Sequence, residues 1–183
     1  MSEHMEFDQA RWYALSVRYQ YEQKSERALR SKGFETLVPL YRSRRQWSDR
    51  LRDVELPLFA GYVLCRFALN DRVPVLDTPG VSKVVGFGGT AVAVENFEID
   101  GIQRVLASKR LLAPWPYLKA GARVRVEHGP MRGVEGTLLR MKGALRLVIG
   151  VELLQRSMVV ELDRQEIVPQ GEAGNVVEKG GVM

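Results

Sequence analysis

Val54-Glu55-Leu56-Pro57-Leu58-Phe59-Ala60-Gly61-Tyr62-Val63-Leu64-Cys65-Arg66-Phe67-Ala68-Leu69 is a long apolar run that reads as a strand, with Pro57 and Gly61 marking a bend or bulge inside it. Side chains alternate across a strand, so Tyr62 and Leu64 face away from Val63 and Cys65. One of the two sets is expected to be interior and the other to be available to a partner.

Working outward, the run is the return arm of a hairpin. Phe34 to Tyr41 reads as the outgoing strand, interrupted by Pro39, and the tip falls near Ser48-Asp49. Upstream, Arg11 to Tyr19 is a short aromatic strand. A helix follows from about Gln20 to Lys32, with Tyr21, Ser25, Ala28 and Leu29 on one stripe, a Glu26–Arg30 pair, and Gly33 placed to cap it. Downstream, a short helix is expected from Asn70 or Asp71 to Asp77, ended by Thr78-Pro79-Gly80. Val81 to Phe87 is a strand, Gly88-Gly89 a turn and Ala91 to Val94 its continuation; a third helix runs from about Asn96 to Arg110. Strands flanked by three helices with antiparallel-length connections make an α+β layer fold.

The pattern changes after residue 110. Leu111 to Leu118 carries two prolines and no charge, which forbids a helix and predicts a link between domains over 111–118. Beyond it come short β segments with glycine turns: Arg123–Glu127, Gly136–Met141, Leu145–Leu153, Met158–Leu162 and one near Glu166–Val168. Their spacing predicts a small five-stranded barrel over 119–170. Residues 1–10 read as a flexible start and 171–183 as a disordered, glycine-rich tail.

Charge narrows the function. The net charge is +5, and from Tyr41 to Arg52 five arginines (Arg42, Arg44, Arg45, Arg50, Arg52) stand against Asp49 alone. Arginine suits phosphate, so the hairpin is a candidate nucleic-acid contact. A second basic stretch runs from Lys119 to Arg146. No apolar run is long enough for a spanning helix, and no secretory h-region opens the chain, so no membrane partner and a cytoplasmic location are expected. Cys65 is the only cysteine and lies in an apolar stretch, which argues for a buried strand residue over a nucleophile. Gly86-Phe87-Gly88-Gly89 lacks the Gly-Lys-Ser/Thr of a phosphate loop, and His128 has no second histidine nearby. No metal, cofactor or enzymatic site is expected.

Phe59-Ala60-Gly61-Tyr62-Val63-Leu64 resembles the Phe-Pro-Gly-Tyr-Val-Leu strand of NusG N-terminal (NGN) domains, and Gly129-Pro130-Met131-Arg132-Gly133-Val134-Glu135-Gly136 resembles the turn of KOW domains. Trp12-Tyr13, Val84-Val85-Gly86-Phe87-Gly88-Gly89 and Val160-Glu161-Leu162-Asp163 appear in the family's order, so the resemblance covers roughly Arg11 to Gln170. It implies an NGN-type antiparallel sheet with three helices over 11–110 and a five-stranded SH3-like KOW barrel over 119–170. It further implies a transcription elongation or antitermination factor whose N-terminal domain docks on the clamp helices of the largest RNA polymerase subunit, through Phe59, Tyr62, Leu64 and Ser16. DNA near the transcription bubble is the expected target of the arginine hairpin. The KOW turn, at Pro130, Met131 and Arg132, would bind a ribosomal protein or Rho. Gly129, Gly133 and Gly136 are explained by turn geometry requiring positive φ.

Two departures, Met131 at the family's exposed phenylalanine position and Ala60 at its proline, point toward a specialised RfaH- or UpxY-like paralogue. Refolding of the C-terminal segment into helices is disfavoured, because Gly136, Gly143 and Gly150 each weaken a helix by roughly 1 kcal/mol. A monomer is the simplest expectation. The competing reading is a KOW-containing RNA-binding or ribosome-associated protein, for which the Lys119–Arg146 basic stretch is the evidence.

Overall fold

The computed structural model describes residues 9–47, 50–117, 121–141, 144–168 and 177–178; the side chains of 45–47, 50–51, 141, 164, 167–168 and 177–178 are outside that description. The chain divides into two compact units, Met1–Leu40 with Phe59–Asn96, and Tyr41–Leu58 with Phe97–Met183.

The first unit is a four-stranded antiparallel sheet. Strand β1 (Arg11–Val17) leads to helix α1 (Glu22–Ser31), then β2 (Glu35–Leu37). The long strand expected after Gly33 breaks at Val38-Pro39, and its continuation β3 (Leu40–Trp47) pairs instead with β4 (Arg50–Pro57) as a separate two-stranded ribbon. The apolar run likewise divides, into β4 and β5 (Tyr62–Phe67), across a turn in which Gly61 takes a φ of 84°. A single 3₁₀ turn (Leu69–Asp71) precedes α2 (Arg72–Leu76), followed by β6 (Val81–Val84) and the small hairpin β7 (Gly86–Phe87) and β8 (Thr90–Ala91). The sheet order is β2-β5-β1-β6.

Alternation along β1 and β5 sends Tyr13, Leu15, Val17, Val63, Cys65 and Phe67 to one face, where they form the core with Leu29 of α1, Val75 of α2 and Val84. The Tyr13 and Phe67 rings lie 4.9 Å apart and tilted. Helix α1 ends as the sequence predicts. Gly33, at φ 92°, lets its own N–H reach the Arg30 carbonyl (3.0 Å) and the Phe34 N–H reach that of Leu29 (3.2 Å), a Schellman closure of the last turn. The Glu26–Arg30 pair forms at 2.6 Å. Lys32 then ties α1 to α2, donating to the carbonyls of Pro74 and Asp77 and to the Thr78 hydroxyl at the carbonyl end of that helix.

The second unit holds the β3–β4 ribbon, helix α3 (Asn96–Ala107) from Phe97 onward, and a larger sheet. The strands are β9 (Leu112–Pro116), β10 (Ala122–Val126), β11 (Glu135–Met141), β12 (Ala144–Val151), β13 (Arg156–Leu162), β14 (Ile167–Val168) and β15 (Val177–Glu178). They run β14-β10-β11-β12-β13-β9 with antiparallel neighbours, and β15 lies parallel to β11. The five short segments read from the sequence thus appear as β10 to β14, each within two residues at its start. Val148, Val159 and Leu139 pack together with Trp115.

Two expectations change here. Residues 112–116 are not a bare link but an edge strand, with Pro114 opposite Met158 and Pro116 opposite Arg156. Proline is tolerated there because one side of an edge strand donates nothing to a ladder. The third helix groups with the C-terminal sheet from Phe97 onward.

Candidate docking surfaces

The first surface is built by β1 and β5. Their register places Ser16 opposite Tyr62 and Ala14 opposite Leu64, on the face away from the core just described. The preceding turn is fixed at Gly61 from two sides. Its carbonyl accepts the Val17 N–H at 2.8 Å, and its N–H donates to the Glu22 carboxylate at 2.7 Å. Glu22 is the first residue of α1 and only 3 % exposed. A carboxylate suits the first turn of a helix, and its hydrogen bond to the Gly61 N–H holds the turn. Tyr62 N–H closes the turn on the Phe59 carbonyl at 3.1 Å.

Of the four residues assigned to this surface, Tyr62 and Ser16 are half-buried, whereas Phe59 and Leu64 are 2 % and 1 % exposed. The expectation that only one of the alternating sets is interior does not hold, since Leu64 and Trp12 are buried as fully as Val63 and Cys65. A sheet can bury both faces, and alternation alone cannot tell which faces are covered.

The second surface is the β3–β4 ribbon. Arg42, Arg44 and Arg52 are exposed, and Arg44 approaches Asp53 at 3.3 Å with both side chains mostly in solvent. The side chains of Arg45 and Arg50, and the tip at Ser48-Asp49, lie outside the described residues.

The third is the turn from Gly129 to Gly136. Gly129 and Gly133 take φ of 81° and 85°, as read from the sequence. The atoms nearest to them are side-chain ends. A Cβ on Gly129 would collide with the Glu166 carboxylate, and one on Gly133 would lie 2.6 Å from the Arg104 guanidinium of α3. Gly136 corrects the sequence reading, since it lies within β11 and has no positive φ. It is required by close approach, because a Cβ there would sit 2.5 Å from the Val148 carbonyl oxygen.

Glu166 is 6 % exposed; it accepts from Arg110 at 2.7 Å and from the Asp163 N–H at 2.9 Å. Arg110 also donates to the Glu161 carbonyl. From the other side Arg104 donates to the Arg132 carbonyl. Pro130 and Arg132 are exposed, but Met131 is fully buried. The apolar knob expected on the surface is therefore an interior side chain; a methionine is unbranched and turns inward readily where a gap receives it.

Glu22 and Glu166 were not among the candidates from sequence. Each lies far along the chain from what it holds, 39 residues for Glu22 to Gly61 and 56 for Glu166 to Arg110.

Elsewhere little invites chemistry. Burial pushes the Cys65 thiol up to about 12, so it is protonated at neutral pH and a poor nucleophile. Gly88 and Gly89 form the β7–β8 hairpin turn, as read from the sequence. Among the described residues no three histidine, cysteine or acidic side chains gather to hold a metal, and no helix is long and apolar enough to cross a membrane.

Comparison with known proteins completes the picture. Residues 10–103 match the family described as "NusG: Transcription termination factor nusG". The Transcription termination/antitermination protein NusG of Lactococcus lactis is 28% identical over 174 residues, covering 88% of this chain and 93% of that protein. Its namesake in Pasteurella multocida is 31% identical over 141 residues, covering 73% and 75%. A solved structure described as "Domain interaction in Thermotoga maritima NusG" superposes with a TM-score of 0.51 at 22% identity, covering 89% of this chain and 98% of that one, and speaks for the fold alone.

Proposed function

Because this chain belongs to the NusG family and is a transcription termination/antitermination factor, we propose that it acts as a non-catalytic adaptor that docks on RNA polymerase with one unit and recruits a second factor with the other. The polymerase-binding surface is the outer face of β1 and β5, entered at Tyr62 and Ser16, with Phe59 and Leu64 beneath. Strands β10 to β14 are the KOW-type module, and its exposed turn residues Pro130 and Arg132 are the contact for a ribosomal protein or Rho. Tethering the two units raises the local concentration of the second partner without any new contact.

The observation that carries the docking reading is the register that sets Ser16 of β1 opposite Tyr62 of β5, directly after a turn pinned at both the N–H and the carbonyl of Gly61. An aromatic on a pinned stretch of backbone at a partly open site suits a hot spot, since little backbone entropy remains to be lost on binding. Tyr62→Ala in the full chain is expected to weaken binding to RNA polymerase by roughly tenfold or more, read by fluorescence anisotropy. Unchanged affinity would remove Tyr62 from the surface.

The ribbon arginines are assigned to DNA beside the bubble. Reversing Arg42, Arg44 and Arg52 to glutamate is expected to flatten the dependence of log K on log salt by about 2 for binding to a transcription complex. An unchanged slope would return the ribbon to solvent.

The ribosome-associated reading retains one support: Arg123, Arg125, Arg132 and Arg140 are exposed on the second unit. Salt-sensitive RNA binding by the full chain without affinity for polymerase would favour it.

A further inference from the structure

Strand alternation divides the β3–β4 ribbon into two faces of unequal charge. Burial follows the alternation. Tyr41 and Ser43 of β3, with Val54 and Leu56 of β4, are half-buried, whereas Arg42, Arg44, Asp53 and Glu55 are exposed. The Arg44–Asp53 ion pair, at 3.3 Å, puts the exposed sets of the two strands on one face. Arg42 and Arg44 there stand against Asp53 and Glu55, so the charges of that face cancel.

The other face is different. Arg52 lies on it, next to Val54 in the direction of the tip, and is exposed. Counting by twos along the same strands brings Arg45 onto this face from β3 and Arg50 from β4. No aspartate or glutamate of either strand has that parity. The base of the face, at Tyr41, Val54 and Leu56, is partly covered, which leaves its cationic outer half for a partner.

Resting on the assignment of the ribbon to DNA, we propose that only this second face meets the phosphate backbone, through Arg50 and Arg52 with Arg45. Arg42 and Arg44 serve the ribbon itself. An arginine with a carboxylate already at ion-pair distance must give that partner up, or bring its negative charge toward the phosphate, and either offsets the gain. An arginine without such a neighbour presents its full charge and its planar fork of donors to phosphate oxygens. The ribbon thus has one side that binds and one that is electrically neutral, and the five arginines divide between them.

The test compares two variants of the full chain that each lose two positive charges, Arg50→Gln with Arg52→Gln and Arg42→Gln with Arg44→Gln. Equal loss of net charge makes long-range attraction the same in both, so a difference between them is local. Glutamine is used because glutamate at 42 or 44 would add to Asp53 and Glu55 and repel a phosphate backbone from either side. Binding to a transcription complex is followed by fluorescence anisotropy across a range of salt. The first variant should flatten the slope of log K against log salt by about 2, and the second by less than about 0.5. Arg50→Lys with Arg52→Lys, which keeps the charge, should restore most of the slope and so separate lost charge from a disturbed ribbon. Equal flattening by the two glutamine variants, or a larger effect at 42 and 44, would overturn the division of faces while leaving the ribbon on DNA. An unchanged slope in both would remove the ribbon from DNA and the proposal with it.

Discussion

The turn at Phe59–Gly61 and the turn at Gly129–Gly136 solve one problem in the same way and finish differently. In each, a glycine in the left-handed region reverses the chain ahead of a strand, and a buried glutamate from a distant element accepts main-chain N–H groups there, Glu22 through its carboxylate and Glu166 through its main-chain carbonyl, which receives Glu127 and His128. Glu22 accepts the Gly61 N–H, and Glu166 lies against Gly129 while accepting from Arg110 and the Asp163 N–H. The outcome for the larger apolar side chain near the glycine is opposite. Tyr62 keeps a partly open face, whereas Met131 is drawn fully inside. A turn motif therefore specifies backbone path well and side-chain exposure poorly, because exposure depends on what packs over the turn.

That comparison can be tested from its strongest element downward. Glu166→Ala leaves Arg110 without its closest carboxylate in a mostly buried setting, and is expected to cost about 3 kcal/mol or more in urea unfolding. A loss below ~1 kcal/mol would mean that the carboxylate contributes little to holding Arg110 in place. Met131→Ala comes next, at about 2–4 kcal/mol, as for any fully buried methionine; a near-neutral result would put Met131 back on the surface. Glu22→Ala is expected to cost about 1–3 kcal/mol by leaving the Gly61 N–H unsatisfied, and to weaken polymerase binding along with Tyr62→Ala. Smallest is Glu22→Gln, which keeps an acceptor for that N–H and should lose less than about 1 kcal/mol while retaining most of the binding. If the glutamine variant binds as poorly as the alanine one, charge and not the hydrogen bond sets the turn.

Much of the fold could be read from the chain because its determinants are local. Gly33 ends α1, Gly88-Gly89 turns a hairpin, and alternating apolar residues place Tyr13, Leu15, Val63 and Cys65 in one core. The errors share a cause, which is that the deciding partner is remote. Pro114 and Pro116 argue against regular structure until β13 lies alongside them, and Gly136 looks like a turn residue until Val148 is across from it. The site was legible to the same extent. The register of β1 and β5 sets Ser16 opposite Tyr62, and Arg42, Arg44 and Arg52 are exposed. The burial of Phe59, Leu64 and Met131, and the roles of Glu22 and Glu166, depend on contacts that no sequence spacing encodes.

Site-specific crosslinking shows whether the Tyr62 face meets the polymerase, as proposed. Tyr62→p-benzoylphenylalanine in the full chain, irradiated with RNA polymerase, is predicted to give one adduct, mapping by mass spectrometry to the clamp helices of the largest subunit. An adduct elsewhere on the enzyme, or none while the same chain still binds, would contradict it.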